Sequence, residues 1–198
     1  MTVGIKEQLR LAALQSYHVL DTQPEPLFDA RVRDLARAAR VPISLISLVD
    51  VDRQWFKARV GLSLTETERC ISFCSVAVEQ SEDFLIVPDA ARDPRFMDSP
   101  LVTEQPGIRF YAGRVLRTPL GQNVGTINII DTRPRQELSE TIKEMMTAYS
   151  QEIIATFDRD RADRIFAEAR STTQSNSPTY VAPLRTPLIN PGRGSWLR

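Results

Sequence analysis

The chain contains one histidine, His18, and two cysteines, Cys70 and Cys74, which narrows the nucleophilic chemistry open to it. Ser-His-Asp and Cys-His catalysis both need a histidine within hydrogen-bonding reach of the nucleophile, so any such centre would have to use His18. This residue stands between Tyr17 and Val19 at the end of the first predicted helix, a place typical of a surface or packing histidine. We therefore expect no catalytic residues.

The two cysteines lie four residues apart, a spacing that places both sulfur atoms on one face if the segment is helical. A four-ligand zinc site needs a second ligand pair, and the chain offers none, so we expect no metal. A role in thiol redox chemistry is a more specific hypothesis for these two cysteines than a zinc site. It competes with the role of a buried cysteine as an inert small hydrophobe, which we favour.

Two pairs of aspartates are close enough in sequence to suggest acid/base chemistry. Asp50 and Asp52 flank a predicted turn between two strands, where aspartate commonly bonds its own backbone. Asp89 ends a predicted strand, and Asp93 precedes Pro94 in the pattern of a helix N-cap followed by proline at the first helical position. The glycines form neither a Gly-x-Gly-x-x-Gly motif nor a P-loop, so no phosphate cradle is indicated.

Polar side chains interrupt two apolar strands late in the chain. Alternation places Arg109 and Tyr111 on one face of the first strand, and Thr126 and Asn128 on one face of the second. Whether the two sets face the same way depends on the register of the hairpin, which a slip of one residue reverses. If this face of the sheet is covered, a bound ligand or water can supply the hydrogen-bond partners of these groups. The alternative is that Asn128 and Arg109 bond backbone groups or reach solvent.

The elements that must position these residues follow from hydrophobic periodicity. Strand 43–49 is apolar throughout and should be covered on both faces. The predicted elements are helices 5–17 and 28–39, strands 43–49 and 54–60 as one hairpin, strand 84–87, a short helix from Asp93, strands 108–116 and 124–130 as a second hairpin, and a long helix from Leu138 to about Arg170.

Composition bounds the class of protein. The 198 residues carry 25 basic and 25 acidic side chains, so no single-sign field draws the chain to nucleic acid or anionic lipid. The longest nonpolar run, 43–49, is far short of the roughly 20 residues that span a bilayer, so we expect no membrane partner and a cytoplasmic location. Residues 171–198 hold 4 of the 13 prolines and no acidic residue, which predicts a disordered tail.

Six blocks of sequence, taken in order and spacing, resemble the GAF domains that precede histidine kinase or diguanylate cyclase modules in bacterial sensors. The blocks are 9–29, 46–57, 72–74, 87–96, 108–113 and 125–131. The resemblance covers Leu9 to Arg161. It implies an α+β fold in which an antiparallel sheet carries the terminal helices on one face, while short helices and loops on the other face enclose a small-molecule pocket.

The resemblance also implies a division of the chain and a set of site residues. We expect an N-terminal helix and linker at 1–23, the GAF-like domain at 24–160, a helical extension at 161–170 and the tail at 171–198. Relatives usually have histidine at the position of Val76 and often cysteine at that of Asn128. The residues expected to bind a ligand are Phe73, Cys74, Asp89, Phe96, Arg109, Tyr111 and Asn128.

The function that these observations favour is a non-catalytic sensory or regulatory module in signal transduction. It would bind a small molecule of unknown identity or a signalling partner protein, and it would form a homodimer through the terminal helices. The sequence identifies no cofactor. Three alternatives stay open, namely a thiol-dependent redox enzyme resembling free-methionine sulfoxide reductase, a ligand-free protein-interaction scaffold, and a photosensor carrying a linear tetrapyrrole.

Overall fold

A six-stranded antiparallel sheet lies at the centre of the computed structural model, which describes residues 4–175. The strands are β1 (Ile43–Val49), β2 (Arg53–Val60), β3 (Glu66–Glu68), β4 (Phe84–Val87), β5 (Phe110–Arg117) and β6 (Asn123–Asp131). Their order across the sheet is β3-β2-β1-β6-β5-β4. Every residue of β1 is buried, as its apolar sequence predicts, because β1 is central and both faces of the sheet are covered.

Five helices cover the two faces of the sheet. They are α1 (Ile5–Ser16), α2 (Pro26–Ala39), α3 (Phe73–Glu79), α4 (Pro100–Thr103) and α5 (Glu140–Ser175), with 3-10 turns at Arg69–Ile71 and Ala90–Arg92. The larger hydrophobic core joins one face of the sheet to α1, α2 and α5. A second core joins the other face to α3, α4 and the loops around them. The expected α+β architecture is therefore confirmed.

The helix predicted to begin after Asp93 is wrong. The Asp93 carboxylate accepts a hydrogen bond from the Arg95 backbone N–H at 3.0 Å, as an N-cap would, but the segment forms a single turn. Helix α4 begins instead at Pro100, where the hydroxyl of Ser99 accepts a hydrogen bond from the Leu101 N–H at 3.3 Å. The same capping chemistry thus starts the helix at Ser99-Pro100 instead of Asp93-Pro94, further along the chain.

Close approach of β6 to β1 depends on a glycine. A Cβ atom added to Gly125 would lie 2.0 Å from the carbonyl oxygen of Ser47, a distance that no side chain can accept. Gly125 pairs with Leu48 across the two strands. The position therefore admits only glycine if the central ladder is to form.

Helix α1 is fastened to the sheet by a buried arginine. Arg10 is 4% exposed and donates one hydrogen bond to the carbonyl oxygen of Val49 at 2.6 Å. Its other nitrogens donate to both carboxylate oxygens of Glu7 at 2.7 Å. The same carboxylate accepts a hydrogen bond from Arg69 at 2.6 Å, so Glu7 joins α1 to the 3-10 turn that precedes α3.

The last helix extends further than the sequence predicts. The described chain divides into two units at Arg164, and residues 165–175 form the last turns of α5. Residues 171–175, expected to begin the tail, are helical, and the rest of the predicted tail lies outside the described residues. Within residues 4–175, no helix combines the length and the apolar character needed to cross a membrane.

Candidate functional site

Five polar side chains meet between the sheet and α3, in an otherwise apolar core. They are Ser47, Cys74, Tyr111, Thr126 and Asn128, which we call the buried polar cluster. The Thr126 hydroxyl donates a hydrogen bond to the Cys74 sulfur at 3.1 Å, and the Asn128 amide nitrogen donates to the Ser47 and Thr126 hydroxyl oxygens at 3.0 Å each. The Tyr111 hydroxyl lies 3.3 Å from the Cys74 sulfur. Hydrogen bonds thus connect all five members.

The strand register brings the cluster together. Thr126 lies opposite Ser47, and Asn128 lies opposite Gly113, so alternation points Tyr111, Thr126 and Asn128 toward α3. Gly113 leaves space for the tyrosine, since a Cβ atom there would lie 2.2 Å from the Tyr111 hydroxyl oxygen. The aromatic side chain can therefore extend along β5 and place its hydroxyl among the polar groups.

Burial keeps the ionisable members of the cluster neutral. Desolvation raises the pKa of the Cys74 thiol, although hydrogen bonds from Thr126 and other neighbours act in the opposite direction. Desolvation also raises the pKa of the Tyr111 hydroxyl well above its ordinary value. Because the thiolate is the reactive form of cysteine, the Cys74 side chain is a poor nucleophile in this conformation.

The two cysteines do not share a helix face, because the segment between them is not one continuous helix. Cys70 lies in the 3-10 turn Arg69–Ile71 and is exposed, whereas Cys74 lies in α3 and is 2% exposed. The chain changes direction between them at Ser72, which is extended. The two thiols therefore point into different environments, and residues 4–175 contain no group of three or more His, Cys, Asp or Glu side chains able to hold a metal ion.

One atom of the cluster has no hydrogen-bond partner. Asn128 is 0% exposed, and its side-chain oxygen is buried and accepts no hydrogen bond. Buried polar atoms are nearly always satisfied, so an exception needs an explanation, and a bound group is one of those available. Asn128 thus carries an unused acceptor inside the protein.

An aromatic stack and a serine cap close the cluster from outside. Phe73 stacks on Phe96, with ring centroids 4.1 Å apart, and on Tyr111 at 5.0 Å. The Ser72 oxygen accepts a hydrogen bond from the Ser75 N–H at 3.2 Å, while its hydroxyl donates to the side-chain oxygen of Gln54. The first turn of α3 therefore covers the cluster, and we call this turn the lid.

Two surface cavities meet at this lid. One has a volume of about 650 Å³ and the other about 340 Å³, and both are lined by Cys70, Ser72 and Val76. The smaller one also reaches Phe96. We call the pair the lid groove. Val76 stands where relatives were expected to carry histidine, so its wall is apolar at that point.

The structure unites most, but not all, of the expected site residues. Phe73, Cys74, Phe96, Tyr111 and Asn128 lie in or over the buried polar cluster. Ser47, Gln54 and Ser72 belong to the same region and were missed, although serine inside the apolar strand β1 and the serine before α3 are visible signals. Thr126 also belongs to the cluster; the sequence predicts that it shares a strand face with Asn128, but it is not among the seven residues expected to bind a ligand.

Asp89 and Arg109 serve the backbone instead. The Asp89 carboxylate accepts a hydrogen bond from the Ala91 N–H at 3.2 Å, as an N-cap. Arg109 precedes β5, and its guanidinium donates to the carbonyl oxygens of Val102 at 2.9 Å and Ile108 at 3.0 Å. The ligand-binding role of the seven expected residues stays a prediction.

Comparison with known proteins gives matches at three levels. The family model described as GAF domain matches residues 23–157. A cyclic di-GMP phosphodiesterase of Pseudomonas aeruginosa is 36% identical over 149 residues, which make up 75% of this chain and 25% of that enzyme. The chain thus spans about a quarter of the length of this relative.

Two solved structures illustrate the likeness of fold. The GAF domain from Acinetobacter phosphoenolpyruvate-protein phosphotransferase gives a TM-score of 0.56 at 15% identity, covering 81% of this chain and 98% of that chain. Free methionine-R-sulfoxide reductase from Neisseria meningitidis, in complex with its substrate, gives 0.56 at 16% identity, covering 82% and 96%. At these identities the likeness establishes the fold.

Proposed function

The chain belongs to the GAF domain family, and from that premise we propose that it is a non-catalytic sensory or regulatory module whose small-molecule ligand binds at the buried polar cluster. The match to part of a cyclic di-GMP phosphodiesterase supports a place in signal transduction. The activity named for that relative belongs to a protein of which the match covers a quarter. The proposal therefore concerns regulation and not hydrolysis.

The observation that carries the proposal is the unpartnered side-chain oxygen of Asn128. An unsatisfied buried polar group costs about 1 to 3 kcal/mol, so the unpartnered oxygen of Asn128 lowers the stability of the free protein. A ligand that donates a hydrogen bond to this oxygen would remove that cost. We therefore expect the ligand to carry an N–H or O–H group.

The lid groove supplies the path to the cluster. Ser72 lines the groove and caps α3, while Phe73, the next residue, covers Tyr111. A ligand in the groove that displaces the first turn of α3 would break the hydrogen bond from Ser72 to Gln54 and open the cluster. Ligand binding is thus coupled to the position of α3.

A chain of contacts connects α3 to the N-terminal helix. The carbonyl oxygen of Arg69 accepts hydrogen bonds from the Ser72 N–H at 3.0 Å and the Ser75 hydroxyl at 2.9 Å. The Arg69 guanidinium in turn donates to Glu7 of α1. Movement of the α3 lid would therefore pull on α1, which is the route by which we propose that occupancy reaches the terminal helices.

The redox alternative is disfavoured by the state of the thiols. Cys74 is buried and its raised pKa keeps it protonated, while Cys70 is exposed and lies in a separate turn. The likeness to free methionine-R-sulfoxide reductase extends to the fold at 16% identity. Cys74 is thus not presented as the thiolate that a cysteine-dependent reductase needs, and the side-chain partner of Cys70 is the Glu68 carboxylate at 3.5 Å, not a second thiol.

Native mass spectrometry of the purified protein tests the proposal. We expect a bound species of small mass in the wild type and in Ser44→Ala, and its loss in Ser47→Ala and Asn128→Leu. Ser44 is the matched control because it is also fully buried in β1, but its side chain lies on the opposite face and its hydroxyl bonds the backbone carbonyl oxygen of Asn128 at 2.9 Å, not the side chain. A wild-type spectrum with only the bare chain mass would instead support the ligand-free scaffold, and an adduct unaffected by Ser47→Ala and Asn128→Leu would place the ligand elsewhere.

A further inference from the structure

A second cavity lies away from the buried polar cluster, where α1, the end of α3 and the turn between β5 and β6 meet. Its volume is about 640 Å³, within the range of roughly 300 to 1,000 Å³ that is typical of small-molecule sites. We call it the α1 groove. Leu9 and Val78 contribute apolar surface to it, and Leu9 is 56% exposed.

The charges around the α1 groove are unbalanced. The cationic side chains of Lys6, Arg10, Arg69 and Arg117 line it, against the carboxylates of Glu7 and Glu79. Glu7 is shared by two guanidinium groups, since it accepts hydrogen bonds from both Arg10 and Arg69 at 2.6 to 2.7 Å.

The same shortage of carboxylates recurs on the other side of the groove. Asp83 pairs with Arg117 at 2.8 Å and also with Arg114 at 2.7 Å, so again two arginines share one acidic group. Lys6 is exposed and forms no ion pair or hydrogen bond with the part of the chain that the structure describes. The lining therefore carries excess positive charge beside apolar surface.

We propose that the α1 groove binds a small organic anion, with an apolar body against Leu9 and Val78 and a carboxylate, phosphate or sulfonate group near Lys6 and Arg117. The charge complementarity favours an anion, and the apolar wall favours an organic one over an inorganic ion. The site is independent of the buried polar cluster. A ligand here contacts both α1 and the end of α3, so it would strengthen the contact between them.

Fluorescence titration with a pair of dyes tests the class of ligand. Anilinonaphthalene sulfonate carries an aromatic body and an anionic group, and phenylnaphthylamine has the same aromatic body without the charge. We expect the anionic dye to bind the folded protein more tightly than the neutral one. Raising the salt concentration from about 0.05 M to about 0.5 M should weaken only the anionic dye, because salt screens exposed charges.

Variants then locate the site. Lys6→Gln should weaken binding of the anionic dye about three- to fivefold, as expected for one exposed charge near the ligand, while Lys143→Gln should not. Leu9→Glu should abolish binding, whereas Leu64→Glu, at a position that is 55% exposed and outside the groove, is its control.

The possible outcomes separate this proposal from the preceding one. Unchanged dye binding in Ser47→Ala would show that the dye does not occupy the buried polar cluster, as we expect. No binding of the anionic dye, or equal binding in the wild type, Lys6→Gln and Leu9→Glu, would overturn the α1 groove as an anion site. Either result leaves the mass-spectrometric test of the cluster unaffected.

Discussion

Replacing Glu7 by glutamine removes the carboxylate that joins α1 to the turn before α3. The hydrogen bond from Arg10 is the largest cause of a pKa that is lowered from 4.5 to about 2, and Arg69 adds to the effect while burial opposes it. Without the negative charge, the Arg10 and Arg69 guanidinium groups are left close together with no shared counter-charge. We expect α1 to be the element most weakened.

The magnitude follows from the pKa of Glu7. A lowering from 4.5 to about 2 corresponds to roughly 3 kcal/mol of folding free energy near neutral pH, at about 1.4 kcal/mol per pKa unit. The Glu7 side chain is 24% exposed, and solvent screening reduces the expected value toward about 2 kcal/mol. In a protein of this size, 2 kcal/mol corresponds to a melting temperature lower by about 4 to 8 °C.

The dependence on pH has a definite sign. Because the folded-state pKa of Glu7 is depressed, its contribution is fully present above pH 4.5 and is lost as pH falls toward 2. The stability gap between the wild type and Glu7→Gln should therefore narrow by more than half between about pH 7 and about pH 3. Urea unfolding at several pH values measures this gap.

A matched variant controls for the loss of a surface charge. Glu140 pairs with Lys143 and its side chain is 80% exposed, so Glu140→Gln should change stability by less than about 0.5 kcal/mol. The reasoning fails if Glu7→Gln is as stable as Glu140→Gln at neutral pH, or if the gap stays constant as pH falls.

Three further substitutions test the packing and the thiols. Gly125→Val should lower the free energy of unfolding by about 3 kcal/mol or more, because the valine side chain would clash with the Ser47 carbonyl oxygen of β1. A melting temperature equal to that of the wild type would refute the central position of β6. The double variant Cys70→Ser, Cys74→Ser should stay folded at a cost of about 1 kcal/mol and keep its bound small molecule, because serine retains a hydrogen-bonding group at position 74 of the buried polar cluster. Methionine sulfoxide reduction by the wild type that disappears in this variant would instead favour the redox enzyme. Lys57→Met should lower the free energy of unfolding by about 2 to 3 kcal/mol, since the fully buried ammonium group holds the linker before α2 through three contacts of 2.5 to 3.1 Å. Chemical denaturation that shows no loss of stability would count against that role.

Local pattern was sufficient to predict most elements of the fold. The 3.6-residue periodicity of α1, α2 and α5 and the uniformly apolar sequence of β1 are both properties of contiguous residues. Asp93 shows the limit of such signals, because Ser99 offers an equivalent cap before Pro100 and the helix forms there. A capping motif indicates a position at which a helix can begin. Where the chain offers several such positions, the tertiary contacts determine which one is used.

The candidate site depends on contacts that alternation within a strand cannot supply. Alternation alone left open whether Tyr111 and Asn128 face the same way, since that depends on the pairing between strands. Gly113, which lies opposite Asn128 and makes room for Tyr111, is the residue that makes their meeting feasible. Ser47 joins them from a strand more than sixty residues earlier in the chain, so its role needs the full topology.

The polar interior on the α3 face was the least predictable feature. Cys74 is visible in the sequence as a cysteine near Cys70, but its burial depends on the lid formed by Phe73 and Phe96. Arg109 illustrates the opposite case, because a charged residue before a strand looked available for a ligand and in fact binds two backbone carbonyl groups.

The side-chain amide resonance of Asn128 in a nitrogen-15 correlation spectrum tests the central claim most directly. Protein purified natively is compared with protein that has been unfolded in urea, dialysed and refolded to remove any bound molecule, and the resonance is assigned by its loss in Asn128→Leu. The indole N–H of Trp55, which is buried in the core on the opposite face of the sheet and lines neither groove, is the internal control. We expect the Asn128 resonance to differ between the two preparations while that of the Trp55 indole stays the same, and identical spectra at Asn128 would contradict ligand binding at the buried polar cluster.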